Sequence, residues 1–148
     1  MIESSRDKNS TEPDSVNSVN TATTGSTVKS SKRETGDIHE QDAANYLHSR
    51  GLKLLASNHS SRHGEIDLIM QDQETLVFIE VRYRRNRNFG GAAISVTPKK
   101  QRKIALTALH YLQKHKKTNT PCRFDVIAVT GEGTLEQHWI KNAFESPL

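Results

Sequence analysis

Between residues 64 and 84 the chain reads "GEIDLIMQDQETLVFIEVRYR". In that stretch Asp67, Glu80 and Arg82 are the side chains whose types and spacing can do chemistry. Two carboxylates on adjacent strands converge if the register sets them side by side. Hard oxygen donors arranged in this way suit magnesium or manganese, ions that keep several waters and accept phosphate oxygens as further ligands. Such an ion can activate water and offset the charge that develops on a phosphodiester during cleavage. Arg82, two residues after Glu80 and so on the same strand face, is placed to hold a phosphate or a water.

The alternative for each acid is a solvent-facing position on a half-exposed sheet, and for Glu80 a structural pair with an arginine. Glu80 shares its face with Leu76 and Phe78, and a carboxylate at the end of a buried face is costly without a partner. That favours an ion or an ion pair over plain exposure.

The elements that must position these groups follow from the pattern. "GEIDLIM" alternates, with Ile66, Leu68 and Met70 expected on one face and Glu65, Asp67 and Ile69 on the other. "TLVFIEVRYR" is β-branched and aromatic, with Val77, Ile79, Val81 and Tyr83 opposite Leu76, Phe78, Glu80, Arg82 and Arg84. The intervening "QDQE" predicts an antiparallel hairpin. A helix is expected over residues 37–50, with Thr35 or Asp37 as its cap, Ala43, Ala44 and Leu47 as its apolar face and Gly51 as its stop. "LKLLAS" reads as a short strand.

After a glycine-containing loop, Thr97 and Pro98 form an N-cap and N1 pair. The helix they open carries Ile104, Thr107, Ala108, Tyr111 and Leu112 as one stripe. "CRFDVIAVT", with its longer apolar run, predicts a central strand, and "LEQHWIKNAF" a final one. Helix, three strands, helix and two strands amount to an α/β domain with a mixed sheet flanked by helices.

Composition narrows the function classes. Residues 1–34 are dominated by Ser, Thr, Asn and charge, with five acidic and five basic residues, and read as a disordered polar tail. The formal charge of +4 therefore belongs to residues 35–148, which have the size of one self-sufficient domain. No acid occurs between Glu80 and Asp125, whereas twelve basic residues do. Arg84, Arg85, Arg87, Lys99, Lys100 and Arg102 are the candidates there for holding a nucleic-acid backbone, and the free N–H groups of the helix turn at Lys99 add to them. The alternative for these is a solvated basic face.

A single cysteine, Cys122, excludes an internal disulfide and fits a reducing compartment. With no apolar run of membrane-spanning length and no secretory h-region, a cytoplasmic protein without membrane contact is expected. The spacing of the histidines assigns none of them to zinc.

"GEIDLI", "VFIEVRYR", "FGG", "TPKKQRKI", "CRFDVI" and "NAF", in that order, resemble the YraN-like uncharacterised protein family 0102, over about residues 36–144. That family is similar to the PD-(D/E)xK nuclease and Holliday-junction resolvase-like superfamily. The resemblance implies a restriction-endonuclease-like fold. It also implies metal ligation by Asp67 and Glu80, Arg82 at the place of the motif lysine, and Glu40 as an additional acid on the first helix. For Glu40 the bland alternative is a solvated helix position.

The departure is Arg82, because arginine stays charged in proteins and cannot serve as a base, although its fork holds phosphate well. Three readings stay open: a divalent-metal-dependent endonuclease on branched or damaged DNA, a non-catalytic nucleic-acid-binding module on the same scaffold, and a basic protein-interaction domain. Resolvase-like enzymes act as dimers, but no homodimer face is marked in the sequence.

Overall fold

A computed structural model describes residues 28–85 and 96–148. Two helices, α1 (Val28–Ser49) and α2 (Pro98–Lys114), cover opposite faces of one five-stranded sheet. The strands are β1 (Lys53–Ser61), β2 (Gly64–Asp72), β3 (Thr75–Arg84), β4 (Cys122–Thr130) and β5 (Glu136–Phe144), and they lie side by side in chain order. Only β3 and β4 are parallel; the other three pairings are antiparallel. The sheet is thus mixed, as the element order predicts, and α2 lies in the crossover that a parallel pair requires.

Alternation in β3 assigns each face to its helix. Val77 and Ile79 pack with Ala43, Ala44 and Leu47 of α1, together with Ile127 and Val129 of β4. Leu76 and Phe78 pack with Ile104, Ala105, Ala108 and Tyr111 of α2. β4 is buried from Phe124 to Thr130, the central position its apolar run predicts.

The expected turn chemistry is present. Thr97 caps α2, its side-chain oxygen accepting the Lys100 N–H at 3.2 Å, and Pro98 occupies the first turn. At the end of α1, Gly51 takes φ 102°, which lets Leu52 N–H reach back to the Leu47 carbonyl and Gly51 N–H to that of His48.

Two expectations change. α1 begins at Val28 and not near Asp37, so Thr35 and Asp37 sit inside the helix. Residues 28–36 have no apolar stripe from which a start could be read. β2 also fails to keep Ile66, Leu68 and Met70 on one face, because Ile66 joins the α2 side while Leu68 and Met70 join the α1 side. The strand turns over at Asp67. Most of the expected tail, together with the loop containing Arg87 and "FGG", lies outside the described residues.

The β4–β5 end is held by one acid that the apolar reading of "CRFDVIAVT" passed over. Asp125 is 1% exposed. It accepts from Arg123 Nε at 3.1 Å, Trp139 Nε1 at 2.9 Å and the Asn142 backbone N–H at 2.9 Å, across an irregularity in the β4–β5 register. Arg123 in turn reaches Asp72 at the β2–β3 turn, 2.9 Å away. Asp125→Ala would leave an indole N–H and a backbone N–H without their acceptor and the half-buried Arg123 guanidinium with Asp72 alone. It is expected to cost about 3 kcal/mol or more in urea denaturation. A loss below about 1 kcal/mol would show that these groups find other partners.

Candidate functional site

The β2–β3 ladder runs from Asp72 opposite Thr75 up to Leu68 opposite Ile79. One step further Asp67 and Glu80 would face each other, and there the ladder stops. Instead of a backbone carbonyl, the Asp67 Oδ2 takes the Val81 N–H, at 2.8 Å. Opposite this point on β1, Asn58 adopts φ 52°, and the β1–β2 register passes from Ser57–Leu68 to His59–Ile66 around it. The side chain of Asp67 thus fills the gap left by the parting strands. Its other oxygen, Oδ1, has no part in that bond.

The register therefore brings Asp67 and Glu80 together, as their spacing allowed. Glu80 is on the α2 face of β3, and its side chain keeps only 12% of its surface exposed. Its Oε1 lies 3.5 Å from Lys100 Nζ, which reaches over from the first turn of α2.

Glu40 arrives from α1. Its helix is anchored beside it by His39, whose ring stacks on Tyr83 of β3 at 4.3 Å. The Asn58 side chain donates to the Glu40 carboxylate. Burial, Asp37, Glu65 and Glu80 push the Glu40 pKa up, and the Asn58 bond opposes them. Glu40, Asn58 and Glu65 line a cleft of about 670 Å³ between α1 and the β1–β2 pair, with Arg33 at its wall. Asn58, Glu65 and Lys100 were not assigned to the acid site from sequence. For Glu65 the proximity to Asp67 within "GEIDLI" was the available signal; for Asn58 there was none.

The electrostatics single out Asp67, whose pKa is pushed up to about 7. Loss of water around the carboxylate is the main cause, followed by the negative charge of Glu80. The Val81 N–H pulls the other way, Glu40 adds to the rise, and Lys100 offsets part of it. Among the described residues, Lys100 is thus a cation that acts on both Asp67 and Glu80.

Among the described residues, no three His, Cys, Asp or Glu side chains converge to hold a metal ion. The residues that could hold one are Asp67 and Glu80. Two hard carboxylates, of which Asp67 keeps one oxygen without a hydrogen bond among the described residues, would suit an ion such as magnesium or manganese that takes its remaining ligands from water and phosphate.

The basic residues divide into groups. Arg82 is half-buried on β3 opposite Ala128, and its guanidinium has no hydrogen bond or ion pair among the described residues. Arg84 donates to the Tyr83 carbonyl at 2.8 Å. Arg85 is paired with Glu132, both exposed. Lys99 and Arg102 are exposed on α2. The backbone of that turn offers less than expected to a phosphate: Pro98 has no N–H, the Lys100 N–H is taken by the Thr97 side chain, and the Gln101 N–H by the Thr97 carbonyl at 2.8 Å. No helix of the described residues is long and apolar enough to cross a membrane.

With the geometry in place, comparison with known proteins identifies the lineage. The sequence profile of Uncharacterised protein family UPF0102 matches residues 39–129, a span that runs from the Glu40 turn of α1 through β4. The chain belongs to the UPF0102 family. A UPF0102 protein of Nitrosococcus oceani is 51% identical over 114 residues, covering 76% of this chain and 92% of that protein. One from Psychromonas ingrahamii is 51% identical over 111 residues, covering 74% and 88%. The UPF0102 protein YraN of an Escherichia coli O1:K1 strain is 48% identical over 122 residues, covering 81% and 91%. The matched UPF0102 region holds Asp67, Glu80, Arg82 and Lys100.

A carboxyl group whose pKa is raised in the folded state has a defined effect on stability. Below its ordinary value of 3.8 both folded and unfolded chains hold the proton. As pH rises toward about 7 the unfolded chain releases it first, and folding loses the difference. Asp67→Asn keeps an acceptor for Val81 N–H and removes this cost. In urea denaturation without divalent ions the variant should be more stable than the wild type at pH 8, by roughly 1–4 kcal/mol, with a much smaller gap at pH 4. An equal gap at both pH values would mean that Asp67 titrates normally.

Proposed function

We propose that this protein is a divalent-metal-dependent, nuclease-like protein that acts on nucleic acid, with branched or damaged DNA as its first candidate substrate class. The observation that carries the proposal is the Asp67 carboxylate, held with a pKa of about 7 beside Glu80 where β2 and β3 part. A purely structural pair would be arranged to lower the cost of ionisation; here burial and like charge raise it, the pattern of a site built for an added cation.

In this reading Asp67 and Glu80 hold magnesium or manganese, which supplies Lewis acidity for phosphodiester hydrolysis. Glu40 sits at the edge of the same negative field. Arg82, which stays protonated, holds a non-bridging phosphate oxygen with its planar fork. Lys100 adds a cation on the same side of the sheet as Glu80, 3.5 Å from its carboxylate. Lys99 and Arg102 lie on the exposed side of α2, where a backbone approaching the carboxylates would pass.

Arg82 also supports the second reading, a module that binds nucleic acid without cutting it. A guanidinium two residues along β3 from Glu80 retains phosphate affinity even if no side-chain base is available. The readings part on one assay. With manganese, the full chain is expected to nick supercoiled or branched DNA. Asp67→Asn and Glu80→Gln should each reduce nicking by at least about a hundredfold while leaving binding at low salt. Arg82→Lys should raise the rate. Salt-sensitive binding with no nicking by wild type or Arg82→Lys, on single-stranded, duplex and branched substrates alike, selects the binding module. Absence of any nucleic-acid affinity at low salt rejects both.

A further inference from the structure

On the α2 face of the sheet the fold joins two imidazoles that are far apart in the sequence. His59 Nε2 on β1 and His110 Nδ1 on α2 are 3.3 Å apart, with ring centroids separated by 5.4 Å. We propose that His59 and His110 form a binding site for a divalent transition-metal ion of the zinc class, tying β1 to α2. Imidazole binds such ions at about 2.0–2.1 Å, so a tetrahedral angle at the ion needs its two nitrogens about 3.3–3.4 Å apart. The pair already has that separation, so no side chain has to move far to close on an ion.

Only neutral imidazoles are needed. With the proton of each ring on its other nitrogen, both facing nitrogens present lone pairs, and binding requires a change of tautomer with no net loss of a proton. Burial first, then the neighbouring His110, Lys114 and His115, hold His59 below the usual imidazole range, which keeps its ring in the ligand form. The ring is also held in place, edge-on to Tyr111 with centroids 5.3 Å apart. Two residues along β1, Ser61 Oγ and Thr107 Oγ1 are 3.1 Å apart, fastening the same strand to the same helix.

His110 is exposed and lines a cavity of about 470 Å³ with His63 and Gln113, so an ion has an open approach from solvent. The remaining coordination positions are then left to water or an exogenous donor. Imidazole nitrogens prefer zinc, nickel or copper to magnesium, which separates this site chemically from the carboxylate pair.

The test is calorimetric titration of the untagged full chain with zinc, alongside cobalt absorption spectra and the melting temperature. The expected result is one tight equivalent and a higher melting temperature with zinc, because an ion that binds only the folded chain stabilises it by mass action. His59→Gln and His110→Gln should each weaken zinc binding by about tenfold or more. His110 is exposed and His59 half-buried, and the melting temperatures of the two variants without metal are the check that they fold. Asp67→Asn should leave zinc binding intact. If neither histidine substitution alters zinc affinity, or if the wild-type chain takes up no zinc, the pair is a hydrogen bond and no more. If Asp67→Asn alone abolishes uptake, the ion belongs to the carboxylates.

Discussion

The bond from Val81 N–H to the Asp67 carboxylate governs the architecture around it. A strand pair that separates before its end exposes backbone groups that must be satisfied, and here a side chain does what a carbonyl would otherwise do. The arrangement requires an acceptor with short reach, and it draws that acceptor out of water. Glu80, next on the facing strand, then becomes an unavoidable neighbour. The raised Asp67 pKa is thus a product of the same geometry that keeps the sheet intact where its strands diverge.

Around that point the elements contribute by topology. β3 sits third of five strands, antiparallel to β2 and parallel to β4, so its two faces meet different helices. One helix brings Glu40 and the other brings Lys100, from opposite sides of the sheet. His39 stacked on Tyr83, and Thr97 capping α2, fix where those two residues stand. The acids are therefore balanced by a cation that arrives from a segment twenty residues away from Glu80, across the parallel crossover.

Much of this was legible in the residues. The hairpin of β2 and β3, the faces of β3, the Thr97–Pro98 start of α2 and the Gly51 stop of α1 all follow from period, β-branching and backbone preferences, which are local properties. The side-by-side placement of Asp67 and Glu80 depends on the register, which "QDQE" leaves open and the pairing of Asp72 with Thr75 supplies. Other features depend on partners distant in sequence. The turnover of β2 at Asp67 needs the left-handed Asn58 on its neighbour, and an alternating pattern carries no sign of it. Lys100 reads as the polar face of a helix until β3 is beneath it. Asp125 looks like an interruption in an apolar strand until Arg123, Trp139 and Asn142 surround it. The start of α1 is not legible in the sequence because a helix without an apolar stripe shows only propensity, which is a weak signal.

The irregular positions on the two outermost strands have a further consequence. β1 breaks register between Leu54 and Ala56 and turns left-handed at Asn58; β5 breaks register opposite Asp125 and turns left-handed at Asn142. A straight edge would offer a row of unpaired N–H and C=O groups to any passing strand, the usual starting point for edge-to-edge aggregation. Kinks at these places interrupt that row on both sides of the sheet. The distortion that opens the acid site on β1, and the one that Asp125 holds on β5, thus also keep a five-stranded sheet from growing a sixth strand borrowed from another molecule.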